Sequence, residues 1–346
     1  MDSPVVLNMK KYAERLFAFL AILLAGSTGL LNPEARAQSA IAPGDVPKTC
    51  YLFCYFIDNG QDGLHLTWSR DGYKWEPLNG GNSYLKPAVG KEKIMRDPCL
   101  LLGPDGVFRL VWTDGWGGTS IGYASSKDLL TWSDQEAISV MEKEPSTHNC
   151  WAPEVHYDAA NDQYLIFWSS TIPGKFPGTE NMAEGDTNHR TYVTTTKDFQ
   201  TFTPTTLFFD PGYCSIDATI LPANGKFYLI YKNEVLKPVK QKNLWLATSD
   251  QMTGPYENIT GPLPTKPSTW VEGPTAIKIG DDYIIYYDCY GDHHFGAIRS
   301  KDMQNWEDAT PQLSMPAGIR HGTVLEVPGE VVAKLLQPAP ATSPDP

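Results

Sequence analysis

Four acidic residues and one histidine stand out by where each falls along the chain. They occur in Arg96-Asp97-Pro98, Trp151-Ala152-Pro153-Glu154, Ser215-Ile216-Asp217, Val271-Glu272-Gly273-Pro274 and Arg320-His321-Gly322. Each set opens a short strand-like run. A lone acid at a strand end usually caps a turn. Four acids at matching points of repeated units are different, because crowded carboxylates repel one another and lose hydration, which raises some of their pKa values. A fold tolerates that mostly where the site is used. Such a cluster suits hydrolysis of a glycosidic bond, with one carboxyl protonated and one ionised. It also suits calcium held by oxygen ligands. Trp, Tyr and Phe together make up 12% of the chain; they favour a sugar, whose apolar faces stack on rings, and strand-rich folds also use them.

The elements that must gather these residues repeat. A polar run followed by an aromatic residue recurs five times, at Ser69–Trp75, Ser125–Trp132, Thr195–Phe202, Thr248–Tyr256 and Arg299–Trp306, with steps of 57, 70, 54 and 50 residues between the aromatics. Units of that length built from short strands read as propeller blades. Hairpin turns such as Gly103–Gly106, Asp158–Asp162, Asn224–Gly225 and Gly280–Asp282 separate the strands of each unit. The fifth unit is split, with its inner strand at 323–327 and its outer strands at 51–56 and 64–68. The expected fold is therefore all-β: a five-bladed β-propeller closed by pairing of N- and C-terminal strands in one blade, which removes the free edge. Inner strands start around one end of the central channel, so Asp97, Glu154, Asp217, Glu272 and His321 are expected to ring one funnel. The polar–aromatic punctuation falls at the outer turns and reads as structural. The polar stretch 171–190, inside the second blade, reads as a pocket wall, with Phe176 and 180–189 at the entrance.

Residues 1–37 read as a secretory signal peptide. Lys10, Lys11 and Arg15 precede the apolar run 16–25, and Ala35-Arg36-Ala37 offers a small-x-small cleavage site. Residues 38–49 read as a linker, 50–330 as the propeller, and 331–346 as a C-terminal tail, Pro-rich and disordered at its end. The expected location is secreted or periplasmic, with no membrane contact after cleavage. The full chain carries 28 basic and 40 acidic residues. An acidic balance of that kind argues against nucleic acid and anionic membrane surfaces as partners. Export permits disulfides, but Cys50 and Cys54 lie too far apart along one strand to bond to each other, and Cys99, Cys150, Cys214 and Cys289 fall in or beside separate strands. Buried free thiols are expected, and no zinc-site spacing occurs. His293-His294 reads as a solvated turn, His148 as a residue lining the funnel, and Trp116 as a stacking platform.

Taken in order, one per blade, the five inner-strand motifs resemble those of glycoside hydrolase family 43, a family of five-bladed β-propellers, over nearly all of the chain after residue 37. The resemblance implies an inverting, single-displacement mechanism. It implies Asp97 as the general base that activates water, Glu272 as the general acid, and Asp217 as the group that orients that acid and raises its pKa. Arg320 would contact a sugar hydroxyl, and His321 would lie at the axis, where many relatives hold water or a calcium ion; no cofactor is otherwise required. Two motifs depart from the family pattern, with Ala218 where Asp-Pro is usual and Glu154 where Asp is common. Glu154 and Trp151 are placed with Arg320, Trp116 and His148 as substrate contacts.

The expected function is an exported glycosidase acting on an oligo- or polysaccharide, of α-L-arabinofuranosidase or β-xylosidase type. The alternatives are a β-galactofuranosidase of the same family and a catalytically inactive glycan-binding propeller.

Overall fold

The computed structural model describes residues 45–265 and 270–337. The expected signal peptide and the end of the tail lie outside them. Twenty strands form five four-stranded antiparallel sheets. Blade 1 is β4 (Arg96–Leu102), β5 (Phe108–Thr113), β6 (Ile121–Ser126) and β7 (Glu136–Ile138). Blade 2 is β8 (Trp151–Asp158), β9 (Gln163–Ser170), β10 (Arg190–Thr196) and β11 (Thr206–Phe209). Blade 3 is β12 (Ser215–Ala223), β13 (Lys226–Asn233), β14 (Asn243–Ser249) and β15 (Glu257–Thr260). Blade 4 is β16 (Glu272–Ile279), β17 (Asp282–Cys289), β18 (His294–Ser300) and β19 (Glu307–Asp308). Blade 5 joins β20 (Thr323–Pro328) to β1 (Thr49–Tyr55), β2 (His65–Ser69) and β3 (Trp75–Pro77), with Cys54 opposite Thr323 and Thr49 opposite Pro328. The inner strands touch in the order β20, β4, β8, β12, β16 and back to β20.

Burial on both faces explains the near-continuous apolar runs of the second strands. Side chains alternate across a strand, and here each face meets a different neighbouring blade. In β5, Leu110 and Trp112 pack towards blade 5 while Val111 packs towards blade 2. In β9, Ile166 and Trp168 pack towards blade 1 while Leu165 and Phe167 pack towards blade 3. In β17, Ile284 and Tyr286 join blade 5 while Ile285 and Tyr287 join blade 3. Five apolar clusters fill the five interfaces between neighbouring blades. Truncating a fully buried member such as Trp112 to Ala costs about 3–5 kcal/mol.

The polar punctuation is local scaffolding. In blade 1 the Ser126 hydroxyl accepts the N–H groups of Asp128 and Leu129, and Asp128 Oδ1 accepts those of Leu130 and Thr131. The same pattern recurs at Ser69/Asp71, Thr196/Asp198 and Ser300/Asp302. All six cysteines are buried and unpaired. One segment differs from expectation. Residues Gly329–Leu335 form a short helix, α1, which packs Val332 and Leu335 onto the blade 5–blade 1 core, so ordered structure runs past residue 330.

Candidate functional site

Four of the five inner strands begin with the same defect. The pairing register slips between Arg96 and Cys99, Trp151 and Glu154, Ile216 and Thr219, and Glu272 and Thr275. In each slip one residue adopts a left-handed backbone: Asp97 at φ 49, Ala152 at 47, Asp217 at 53 and Gly273 at 55. These are β-bulges, which bend a strand and re-aim its side chains. Three of them place Pro directly after the left-handed residue, at Pro98, Pro153 and Pro274, where a strand can spare the missing N–H. The motifs seen in the sequence are thus bulge signatures as well as carriers of acids.

Because of the bulges, the acids do not occupy equivalent points. Asp97 and Asp217 stand on the left-handed residue itself, Glu272 stands just before it, and Glu154 stands two residues after it. The first three line one cavity of about 320 Å³ together with His321. Glu154 does not line it. It lies beyond the bulge, level with Cys99, Thr219 and Thr275, is only 4% exposed, and is bonded to Thr219 Oγ1 (3.0 Å), Thr323 Oγ1 (3.4 Å) and His156 Nε2 (2.9 Å). Its place is in the axial channel under the site, so the expected ring loses one member. The reason is that Ala152 holds the left-handed position that Asp97 and Asp217 hold in their strands, which leaves the acid of this motif two residues further along.

The electrostatics of the cavity are uneven. Asp97 Oδ1 lies 3.3 Å from His321 Nδ1, and its Oδ2 accepts the Thr113 hydroxyl at 2.8 Å. Burial would raise the Asp97 pKa, but the bond to and charge of His321, with Arg96 and Thr113, hold it below the usual range. Burial would lower His321, yet its bond to Asp97 and the charges of Asp217, Asp97 and Glu154 push it up to about 9. Asp217 accepts the Gly273 N–H at 3.0 Å, and burial raises it to about 6 against the lowering charges of His321 and Lys232. Asp288, paired across the sheet with Glu272, is raised by burial to about 7 despite Arg320 Nε at 2.9 Å. Glu272 runs the other way. Burial would raise it, but Lys232 at 2.8 Å and the Trp270 Nε1 donor at 2.8 Å hold it below the ordinary carboxylate value. The expected raised pKa of Glu272 is not what its surroundings give: Glu272 is held down, while burial raises Asp217 and Asp288.

Aromatic side chains form two walls. On one side the Arg96 guanidinium sits 4.6 Å from the Phe56 ring and 4.5 Å from the Trp116 ring, Trp116 meets Trp151 edge-on, and Trp151 lies against His189. On the other side Trp270 stacks on Tyr290 at 5.2 Å, and Arg320 covers Tyr290 at 4.4 Å. Trp116 (48% exposed) and Tyr290 (37%) are the only exposed aromatic residues among the large exposed hydrophobics of the described chain, and both line this cavity. Glu184, Thr187 and His189 bring the 171–190 loop to its rim.

Of the expected substrate contacts, Trp151 and Trp116 line this cavity, and Arg320 reaches within 4.0 Å of Glu272. His148 does not line the cavity; it is exposed, with its backbone bonded to Gly118 and Thr171. His293 is exposed in a turn. His321 Nδ1 is engaged with Asp97, Glu154 is engaged with His156 and two threonines, and no group of three or more His, Cys, Asp or Glu side chains among the described residues is arranged to hold a metal.

The sequence reading missed Lys232, Glu234, Lys242, Trp270, Tyr290 and Asp288. A signal existed for two of them. In the four bulged strands, the partner of the residue just before the left-handed one lies at or next to the far end of the second strand, and these partners are Thr113, Ser169, Lys232 and Asp288. A polar residue closing an aromatic-rich strand therefore marks the cavity side.

A bulged five-bladed propeller with three carboxyls converging between aromatic walls defines a saccharide-processing class of site. Residues 47–331 match the family model described as a probable glycosyl hydrolase domain, related to family 43. The chain belongs to glycoside hydrolase family 43. It is 25% identical over 293 residues to an α-L-arabinofuranosidase of Bifidobacterium longum subsp. longum, a match covering 74% of this chain and 27% of that protein. The chain thus spans about a quarter of that curated relative's length. The crystal structure of a thermostable family-43 glycoside hydrolase superposes with a TM-score of 0.53 at 18% identity, covering 68% of this chain and 80% of the other. An α-L-arabinofuranosidase from Lactobacillus brevis gives a TM-score of 0.48 at 17% identity, over 62% of this chain and 72% of that one.

Proposed function

We propose that the chain is an inverting glycosidase that removes a terminal sugar, with arabinofuranosides and xylosides as its substrate class. One observation carries the reading: Asp97, Asp217 and Glu272 face one small cavity between two aromatic walls. The volume of about 320 Å³ lies at the low end for ligand sites, and the Asp97–His321 pair lines it above the Glu154 layer, which favours a terminal residue over the middle of a polymer. The curated relative at 25% identity, an α-L-arabinofuranosidase, supports the sugar class.

In the reaction, water attacks the anomeric carbon as its proton passes to Asp97. The glycosidic C–O bond breaks, its electron pair goes to the leaving oxygen, and that oxygen takes the proton of Glu272. His321 and Thr113 keep Asp97 ionised for its part. Glu272 must be protonated for its part, and its lowered pKa puts the working range on the acidic side of neutral. Arg320 and the two walls hold the sugar. Export through residues 1–37 belongs to the same proposal; N-terminal sequencing of protein recovered outside the cells should begin near residue 38.

The test is a panel of nitrophenyl α-L-arabinofuranoside, β-xyloside and β-galactofuranoside, with Asp97→Asn and Glu272→Gln as controls. Turnover on one of the first two, abolished in Asp97→Asn and lowered in Glu272→Gln, supports the reading, and preference for the third moves the substrate class to galactofuranosides. The ion-paired Glu272 favours one rival, a glycan-binding propeller without turnover. Sugar binding with flat progress curves on the whole panel establishes that rival.

A further inference from the structure

The two oxygens of Glu272 have different surroundings. Oε2 accepts both the Lys232 ammonium and the Trp270 indole N–H, each at 2.8 Å. Oε1 has Arg320 Nη2 at 4.0 Å, beyond hydrogen-bond reach. Lys232 is 1% exposed, and its ammonium also lies 2.7 Å from Glu234 Oε2. Glu234 Oε1 is held in turn by the buried Lys242, which reaches Glu184 on the loop rim at 3.6 Å. The result is a chain of alternating charge along one wall: Glu184, Lys242, Glu234, Lys232, Glu272, Arg320, Asp288.

Resting on the hydrolase reading above, we propose that Lys232 and Trp270 are positioning residues for Glu272, fixing Oε2 so that the proton given to the leaving oxygen is carried on Oε1. Glu234 and Lys242 keep Lys232 in place from behind. Buried charges persist only where they are paired; Lys242, Glu234, Lys232, Glu272 and Arg320 are each paired on both sides, Glu184 ends the chain at the rim, and Asp288 ends it on Arg320. The clamp also has an electrostatic effect. An opposite charge this close lowers a carboxyl pKa by about 1–3 units, and Glu272 is indeed lowered, with Lys232 as the chief lowering influence. The charged groups facing Glu272 are Lys232 from β13, Asp217 from β12, Asp288 from β17, and Arg320 and His321 ahead of β20. Of these, only Lys232 hydrogen-bonds the carboxylate.

The test uses the full chain and reads Glu272 directly. Infrared difference titration, wild type against Glu272→Gln, gives the midpoint of that carboxyl without any turnover. In Lys232→Met the midpoint is expected to rise by about one pH unit or more, and Lys232→Arg, which keeps the charge, is expected to return it towards the wild-type value. If Lys232→Met fails to fold, Lys232→Met/Glu234→Gln removes both charges and carries the same expectation. A midpoint unmoved by loss of Lys232 overturns the proposal, whatever the rates. Kinetics supply the second readout. Loss of the clamp should reduce kcat on an alkyl glycoside, which needs a placed acid, about ten-fold more than on a dinitrophenyl glycoside, which does not, with KM little changed. Equal losses on both substrates overturn the positioning role. A wild type that hydrolyses nothing removes the hydrolase reading, while the infrared titration still decides whether Lys232 clamps Glu272.

Discussion

His321 is the buried group whose charge the fold most visibly maintains, and its titration should be measurable in stability. The residue is 7% exposed, with Nδ1 against Asp97. Burial alone would lower its pKa, but the Asp97 bond and the surrounding carboxylates raise it from 6.5 to about 9. A pKa higher in the folded than in the unfolded chain means that folding favours the imidazolium. The contribution is fully present below about pH 6.5 and is lost as pH rises through about 9. A shift of about 2.5 units at about 1.4 kcal/mol per unit corresponds to about 3.5 kcal/mol in full. Asp97 does not confuse this window, because its pKa is lowered and its own contribution disappears only on the acidic side. The comparison is wild type against His321→Gln, unfolded in urea at steps from about pH 6 to about pH 10. The stability difference between the two should shrink by about 3 kcal/mol across the range, and the His321 ring should titrate near 9 by NMR. Parallel stability profiles, or a ring that titrates near 6.5, would refute the reasoning.

Other outcomes follow from the same geometry. Asp97→Asn should lower kcat by about 10²–10⁴-fold, as expected for loss of a general base, and should bring the His321 titration down, because its main partner no longer carries charge. Trp116→Ala and Tyr290→Ala remove exposed wall residues, so each should raise KM roughly five-fold, about 1 kcal/mol of ring stacking, while thermal stability stays near wild type. Gly322→Ala should fail to yield folded protein, since its added Cβ would fall 1.8 Å from the Cys54 carbonyl oxygen, where β20 joins β1; a soluble variant with wild-type circular dichroism would contradict this.

The repeat and the inner-strand motifs were legible because both are local. Turn acids such as Asp128 and Asp302 bond their own neighbouring N–H groups, and bulge residues such as Asp97 and Gly273 must tolerate a left-handed backbone. Those demands leave the same residue types in each copy. Glu154 was misplaced because a bulge changes which residue points inward without changing the apparent motif. Lys232, Glu234 and Lys242 were not legible because a buried lysine owes its place to ion pairs made across the fold, and Lys232 and Glu272 are 40 residues apart. Trp270 and Tyr290 became a wall only through stacking between the approach to β16 and the turn after β17.

The central claim is that Asp97 and Glu272 act from opposite sides of one bound sugar. The configuration of the first-formed product, followed by NMR as a glycoside of known anomer is cleaved, tests it most directly. The account predicts inversion at the anomeric carbon. Release of a sugar that keeps the substrate's configuration would contradict it.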